Sequence, residues 1–282
     1  LAPSGKNQPR RIVIGFQATP TKPMPEGWRT WTMNSWEKHP LAQQQFQFMG
    51  SCWQWGTLTP CSDIYPRDED FRIYEKFAES RKTGTIDKDF VEQWLAGYKV
   101  KDEDGLKGIR GNVEYGFRVV AGKPQNVLLY TNARGVRFDT PEGQTFLDEW
   151  YREAYATRKW PLGGGVAYDL DPVESFRDYA MWYYKKMIET FADNIYWDDT
   201  YLQSNFDTVG TDAYEMTDGV IQPSVGLFNM RALIRRTAVL CHELGKPPRN
   251  MSHITNAAIA PILSFGQTHL TWEDRSGASD FQ

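Results

Sequence analysis

The stretch Val127-Leu128-Leu129-Tyr130-Thr131-Asn132 follows a Gly and Pro break and is apolar at successive positions rather than at alternate ones. A strand with one solvent-exposed face alternates apolar and polar residues, whereas a strand of a parallel sheet is buried on both faces and is apolar on both. Residues 127–132 therefore predict an interior strand of a parallel sheet, and the rest of the chain is expected to supply helices that cover it.

Extended and helical patterns alternate on either side of this strand. Further extended stretches are predicted at 11–17, 46–55, 194–199, 250–255 and 268–272. Helices are predicted at 68–81, 87–100, 104–121, 141–156 and 224–244, with another that begins at Asp171 as N-cap. Such alternation is typical of an α/β fold with a parallel sheet.

The spacing of about six strand–helix units favours a (β/α)8 TIM-like barrel. We predict a lead-in at 1–10 and one barrel domain at 11–282, incomplete at its C-terminal end, so that one or two units follow Gln282. A doubly wound sheet is the alternative. Its nucleotide-binding version is not supported, because the chain contains neither G-x-G-x-x-G nor G-x-x-x-x-G-K-[ST].

Charge and composition exclude several classes of function. The chain has 32 basic and 36 acidic side chains, and no stretch concentrates Lys and Arg, so binding to nucleic acid is disfavoured. No apolar run approaches the ~20 residues of a membrane-spanning helix. Aromatic residues reach 14%, and the flat faces of Trp and Tyr suit sugar rings. Of three cysteines, Cys52 and Cys61 could pair, although three reduced thiols including Cys241 are favoured.

Polar residues stand at the ends of three predicted strands, where a barrel places its active site. They are Tyr-Trp-Asp-Asp at 196–199, Ser-His-Ile-Thr-Asn at 252–256 and Thr-Trp-Glu-Asp at 271–274. Glycoside hydrolysis needs one carboxylic acid that protonates the leaving oxygen and a second group that acts as nucleophile, base or cation stabiliser. Two acidic strand ends flanked by aromatic residues therefore predict a glycosidase.

Each strand-end residue has a predicted role. Asp198 is the nucleophile or stabilising carboxylate and Glu273 the general acid, with Asp199 and Asp274 as substitutes. Because side chains alternate along a strand, only one of Asp198 and Asp199 is expected to face the barrel mouth. The other strand-end residues are predicted to bind sugar hydroxyls or ring faces: His253, Asn256, Asn132, Trp197 and Trp272.

Two other functions remain open on the sequence. One is a carbohydrate-binding or scaffolding barrel without catalysis. The other is a metal-dependent hydrolase that uses Asp198 with the acidic connection Asp207, Asp212, Glu215 and Asp218. This connection does not have EF-hand spacing, and His and Cys lack zinc spacing, so neither a metal nor a cofactor is predicted. A serine hydrolase is not supported, because no G-x-S-x-G occurs.

Several short motifs resemble bacterial glycoside-hydrolase-like proteins related to glycoside hydrolase family 123. The opening motif is Phe16-Gln17-Ala18-Thr19-Pro20-Thr21-Lys22-Pro23 with Trp28-Arg29. Later motifs are Asn194 to Asp199, Asp218-Gly219, Gln222-Pro223, Arg231, Arg235, His253 to Asn256 and Trp272-Glu273-Asp274. The resemblance implies a TIM-like barrel that acts on glycosides, is exported to the periplasm or outside the cell, and belongs to a longer chain with extra β domains.

Family 123 is associated with N-acetyl-β-galactosaminides and with an Asp-Glu pair for substrate-assisted retention. The acidic doublets at strand ends here are Asp198-Asp199 and Glu273-Asp274, so the resemblance does not extend to that pair. The chain starts at Leu1 without Met or a signal segment, which leads us to expect a processed protein or an excerpt of a longer one. The family resemblance further implies a role in polysaccharide degradation.

Overall fold

A computed structural model of the chain describes residues 14–18, 23–33, 44–49, 72–97, 103–137, 141–151, 166–167, 170–208, 210–254 and 259–270. These residues form a mixed α/β structure with a parallel sheet, so the α/β part of the predicted fold class is confirmed. Within them, no helix has the length and apolar character needed to cross a membrane.

Strands in the described part of the chain are numbered in chain order. They are β1 (Trp31–Met33), β2 (Gln44–Met49), β3 (Asn126–Asn132), β4 (Val136–Arg137), β5 (Val166–Ala167), β6 (Asn194–Asp198), β7 (Tyr214–Glu215), β8 (Ile221–Gln222), β9 (Met251–His253) and β10 (Thr268–Leu270). The main sheet has the order β1-β2-β3-β6-β9-β10, and all its neighbouring strands are parallel. Two short antiparallel pairs, β4–β5 and β7–β8, lie in the connections.

Helices fill the connections between the strands of the main sheet. They are α1 (Arg72–Thr83), α2 (Lys88–Ala96), α3 (Glu103–Ala121), α4 (Pro141–Trp150), α5 (Glu174–Thr190), α6 (Leu227–Glu243) and the short α7 (Ala260–Leu263), preceded by a 3₁₀ turn at Trp28–Thr30. The helices predicted before β3 and the long helix after β6 are therefore confirmed. Gly245 ends α6 as predicted, and it has a left-handed φ of 71°.

Burial of β3 and β6 explains their apolar sequences. Every residue of both strands is buried. On one face, Val127, Leu129, Ile195 and Trp197 join the large core cluster that contains the buried helix residues. On the other face, Leu128, Tyr130, Tyr196 and Met251 form a second cluster that consists of strand residues only, with Trp31 of β1 packed against it.

The order of the main sheet follows the order of the chain. A doubly wound sheet reverses its strand order at a switch point and carries helices on both faces. The described strands show no such reversal, and the described helices place their buried side chains on one face only. Within the described residues the doubly wound alternative is therefore not supported.

Two local predictions are wrong. Residues 14–17 of the strand predicted at 11–17 form no strand and are exposed, with Phe16 at 96%. Asp171 does not cap α5: the N-cap is Val173 and the helix starts at Glu174. The Asp171 carboxylate is instead buried, and its Oδ2 accepts a hydrogen bond from Asn229 Nδ2 at 2.7 Å.

Other predictions are confirmed in part. The strand predicted at 46–55 is β2 up to Met49, and the helix predicted from Pro141 ends at Trp150. Residues 50–55 and 152–156 lie outside the described residues, as do Cys52 and Cys61.

Asp193 ties the amino-terminal edge of the sheet to two helices. It precedes β6, and its carboxylate accepts hydrogen bonds from Arg81 Nη2 of α1 at 2.6 Å and from Val127 N of β3 at 2.8 Å. Its second oxygen accepts from Lys246 Nζ, after α6, at 3.1 Å. One carboxylate thus fixes the start of two strands relative to α1 and α6.

Candidate active site

The carboxyl ends of three neighbouring strands bring four of the predicted site residues together. In the sheet register, Asn132 of β3 is the partner of Asp198 of β6, and Trp197 of β6 is the partner of Ser252 of β9, which places His253 beside Asp198. The side chains of parallel strand ends meet at one edge of the sheet. Asp199, directly after β6, joins the same group.

Asp198 is held by three donors. Its Oδ1 is hydrogen-bonded to His253 Nδ1 and also accepts from the backbone N–H of Asp199 at 2.9 Å. Its Oδ2 accepts from the Tyr130 hydroxyl at 2.5 Å. Both oxygens of Asp198 are therefore fixed in position at the end of β6.

Asp199 lies on the same side as Asp198, and the expectation that alternation would separate the two is wrong. Asp199 has a φ of 53°, in the left-handed region, so the strand's alternation does not extend to it. Its Oδ2 accepts a hydrogen bond from Asn132 Nδ2 at 2.6 Å. Two successive carboxyl groups therefore meet beside one imidazole.

The two carboxyl groups have different electrostatic surroundings. Burial raises the pKa of Asp199 above its usual range, and the neighbouring charge of Asp198 raises this pKa further. The pKa of Tyr201 is also raised, first by burial and then by the charge of Asp199. Two neighbouring carboxyl groups in different surroundings are an arrangement that acid–base chemistry at a single site can use.

A buried arginine supports the loop behind Asp199. Arg134 donates from Nε to the carbonyl of Asp199 at 3.2 Å and from Nη2 to the carbonyl of Tyr201 at 2.6 Å. Its backbone N–H donates to Asn132 Oδ1 at 2.7 Å. The side-chain amide of Asn132 thus contacts both the carboxyl group of Asp199 and the backbone N–H of Arg134.

Trp197 does not belong to this site, and its predicted contact with sugar is wrong. It lies on the helix-facing side of β6, 1% exposed, and its Nε1 donates to Thr237 Oγ1 of α6 at 3.0 Å. Its ring also packs edge-on against Tyr184 of α5. Alternation puts Trp197 on the face opposite to Asp198.

Four predicted site residues are not placed by the structure. Glu273, Asp274, Asn256 and Trp272 lie outside the described residues. The expected pairing of Asp198 with Glu273 therefore stays a prediction.

Three side chains of the site could hold a cation. Asp198, Asp199 and His253 each offer a ligand atom, and these atoms lie within 4.8 Å of one another. Two carboxylate oxygens and an imidazole nitrogen form a donor set that suits several divalent metals. The sequence predicted no metal ligands, because a set drawn from β6 and β9 has no short motif.

A separate groove lies on the outer, helical side of the molecule. It has a volume of about 630 Å³, runs between α5 and α6, and includes the side chains of Arg177, Arg231, Arg235 and Arg236. None of the cluster residues at the strand ends contributes to its lining. The strand ends contain the converging acid–base groups, so we place the candidate active site there and not in this groove.

Two functional candidates were missed from the sequence. Tyr130 could have been found, because it stands two residues before Asn132 in one strand and therefore shares its face. Arg134 has no comparable signal, since it acts from a turn after β3 on backbone atoms of another connection.

Comparisons with protein-family models, with curated proteins and with solved structures find no match to this chain.

Proposed function

We propose that this chain is a glycoside hydrolase whose acid–base groups stand at the carboxyl ends of β3, β6 and β9. The observation that carries the proposal is the pair of neighbouring carboxyl groups with different surroundings. Asp198 is held by three hydrogen-bond donors, whereas burial raises the pKa of Asp199. Glycoside hydrolysis uses a protonated and an ionised carboxyl group in one site.

In the proposed chemistry, Asp199 donates its proton to the glycosidic oxygen as the bond to the leaving group breaks. Asp198 stabilises the positive charge that develops on the sugar ring, or attacks the anomeric carbon. Water then adds to the anomeric carbon, which releases the sugar and frees Asp198, and the proton that the water loses returns to Asp199. Glu273 remains the other candidate for the acid. Asn132 and His253 already bond to these carboxyl groups, so we assign them the task of orienting the acid and the carboxylate.

We further propose that the sheet is part of a (β/α)8 barrel. Strand order that follows chain order supports this architecture, as does the restriction of buried helix residues to one face. The second cluster, around Tyr130 and Tyr196, would then be the barrel interior. In line with the resemblance to family 123 relatives, we propose an exported protein that works beside other domains.

The charge of the connection after β6 supports a neutral or amino-bearing sugar as substrate. Residues 187–230 contain no Lys or Arg, and the segment from Asp198 to Asp218, both ends included, contains six acidic residues. Asp212, Glu215 and Asp218 are exposed on this connection. A negative field at the entrance lowers the local concentration of uronic acids and sulfated sugars.

The proposal is tested with a panel of nitrophenyl glycosides that includes neutral sugars, a glucosaminide and a glucuronide. D198N, D199N and E273Q are compared with the wild-type chain, and D178N, an exposed carboxyl group on α5 paired with Arg236, is the matched control. We expect D198N and D199N to lose roughly 10²–10⁴-fold in kcat and D178N to retain wild-type rates. Wild-type rates in both D198N and D199N would refute the site assignment.

Two other outcomes identify the alternative functions. If saccharides bind without hydrolysis, the chain is a carbohydrate-binding barrel. A metal-dependent hydrolase is favoured by the clustering of Asp198, Asp199 and His253 within 4.8 Å. Loss of activity in a chelator and recovery with a divalent cation would establish it, whereas chelator-resistant hydrolysis supports the acid–base proposal.

A further inference from the structure

The guanidinium group of Arg134 lies behind the two carboxyl groups, and the proposed chemistry gives it no part. Arg134 is 1% exposed. All three guanidinium nitrogens donate to backbone carbonyls, namely those of Asp199 at 3.2 Å, Tyr201 at 2.6 Å and Leu170 at 3.1 Å. These bonds join three separate segments of chain, and they direct the guanidinium group at backbone atoms.

Desolvating a guanidinium group costs free energy, and a carboxylate of opposite charge lies nearby. Asp171 Oδ1 lies 3.8 Å from Arg134 Nη1, and both side chains are 1% exposed. Asp171 is fixed in turn by Asn229 Nδ2 at 2.7 Å. Replacing such pairs by apolar residues is often neutral or stabilising, so a buried pair is weak evidence for a role in stability alone.

The backbone at Asp199 supplies that explanation. A φ of 53° is unfavourable for a residue with a side chain and has to be held by its surroundings. In an extended conformation, Asp199 would direct its carboxyl group to the face opposite to Asp198. Arg134 holds the carbonyl of Asp199 itself and that of Tyr201, and so spans the turn on which the left-handed residue lies.

We propose that Arg134 is a positioning residue of the active site: its bonds to the carbonyls of Asp199 and Tyr201 keep two successive carboxyl groups on the same side of the sheet. The catalytic consequence rests on the proposed function, but the conformational claim does not. Arg134 contacts no substrate in this scheme. It acts through Asp199, whose carboxyl group it keeps buried beside Asp198.

The test compares two variants that differ in one residue. D171N removes the countercharge and leaves every carbonyl bond of Arg134 in place. R134Q/D171N also removes the guanidinium group, and it does so without leaving a buried, unpaired carboxylate at position 171. The first readout is the set of NMR cross-peaks between the side-chain amide protons of Asn132 and the β protons of Asp199, which report the contact between these residues and do not depend on activity. The second is kcat and KM on whichever nitrophenyl glycoside the wild-type chain hydrolyses.

In D171N we expect these cross-peaks to be retained as in the wild-type chain. In R134Q/D171N we expect them to be lost, because the released Asp199 side chain no longer lies beside Asn132. We also expect kcat to fall by roughly 10–100-fold with KM nearly unchanged. A loss of melting temperature with the cross-peaks intact would show a purely structural role and overturn the proposal.

If R134Q/D171N does not fold, R134K answers the same question. The single ammonium group of lysine does not reproduce the planar fork of arginine, so we expect it to hold fewer of the carbonyls. Wild-type cross-peaks between Asn132 and Asp199 in R134K would overturn the proposal, and their loss would support it. If the wild-type chain hydrolyses no glycoside, the proposed function fails, while the cross-peaks still decide whether Arg134 positions Asp199.

Discussion

The side-chain amide of Asn132, at the end of β3, donates a hydrogen bond to the carboxyl group of Asp199, 2.6 Å away, in the turn after β6. Asn132 is the sheet partner of Asp198 and not of Asp199. The contact therefore exists only because the backbone of Asp199 leaves the extended conformation. One amide thus links a buried strand to the acid that we propose for catalysis.

This burial makes stability depend on pH in a defined direction. Because the pKa of Asp199 is raised above 3.8, the folded protein keeps a proton that the unfolded chain has already released. Stability contributed by this group is present at low pH and falls as pH rises through the window above 3.8. D199N has no such proton to lose, so its free energy of unfolding should rise relative to wild type across this window.

Urea denaturation at a series of pH values measures this difference. D212N, which changes an exposed carboxyl group, should show the pH dependence of the wild-type chain. A constant difference between D199N and wild type at all pH values would mean that Asp199 is not a proton-holding group. In active protein, kcat should fall as pH rises through the same window, because the acid form is lost.

Gly226 and Gly245 form a matched pair for the packing around Asp171. Both have left-handed φ values, 63° and 71°. A Cβ atom at Gly226 would lie 2.6 Å from Asp171 Oδ1, whereas nothing lies within 4 Å of one at Gly245. G245A should cost about 1–2 kcal/mol for the backbone conformation alone, and G226A about 1–3 kcal/mol more for the overlap.

Chemical denaturation of the two alanine variants gives both free energies of unfolding. Equal losses would show that the buried Asp171 carboxylate does not restrict the space at Gly226. The comparison is informative because the conformational penalty is common to both positions and cancels in the difference.

The amino-terminal edge of the sheet should depend on Asp193. D193N removes an acceptor that Arg81, Lys246 and the N–H of Val127 share, and leaves two partly buried cations without their carboxylate. We expect a loss of about 2–3 kcal/mol in the free energy of unfolding. E92Q, which alters an exposed ion pair with Arg110, should change it little. A loss in D193N no larger than in E92Q would contradict the role of Asp193.

Cys241 should be unreactive in the folded protein. It is fully buried on α6, and burial raises the pKa of its thiol to about 12. Only the thiolate reacts with disulfide reagents. In a C52S/C61S variant, which leaves Cys241 as the single cysteine, we expect no labelling by a disulfide reagent until denaturant is added. Rapid labelling of the native protein would show that the face of α6 that carries Cys241 is not part of the core.

Local sequence patterns were sufficient for five of the six strands of the main sheet and for part of the site, whereas β1 was missed. The apolar run at 127–132 predicted β3, and the position of Asp198, Asn132 and His253 at strand ends predicted that they would meet. These predictions succeed because a strand buried on both faces has a continuous apolar sequence, and because polar residues follow such a strand at its carboxyl end. The start of α5 was missed for the opposite reason: Asp171 has the residue type of a cap, but its carboxylate is engaged by Asn229.

The sequence by itself determined most strands and helices of the main sheet, and it put Trp197 on the face opposite to Asp198, because both depend on the periodicity of neighbouring residues. The tertiary structure alone decided that Asp199 turns to the side of Asp198 and that Arg134 holds the turn behind the site. The first depends on one backbone angle and the second on contacts between residues distant in the chain, and neither leaves a periodic signal in the sequence.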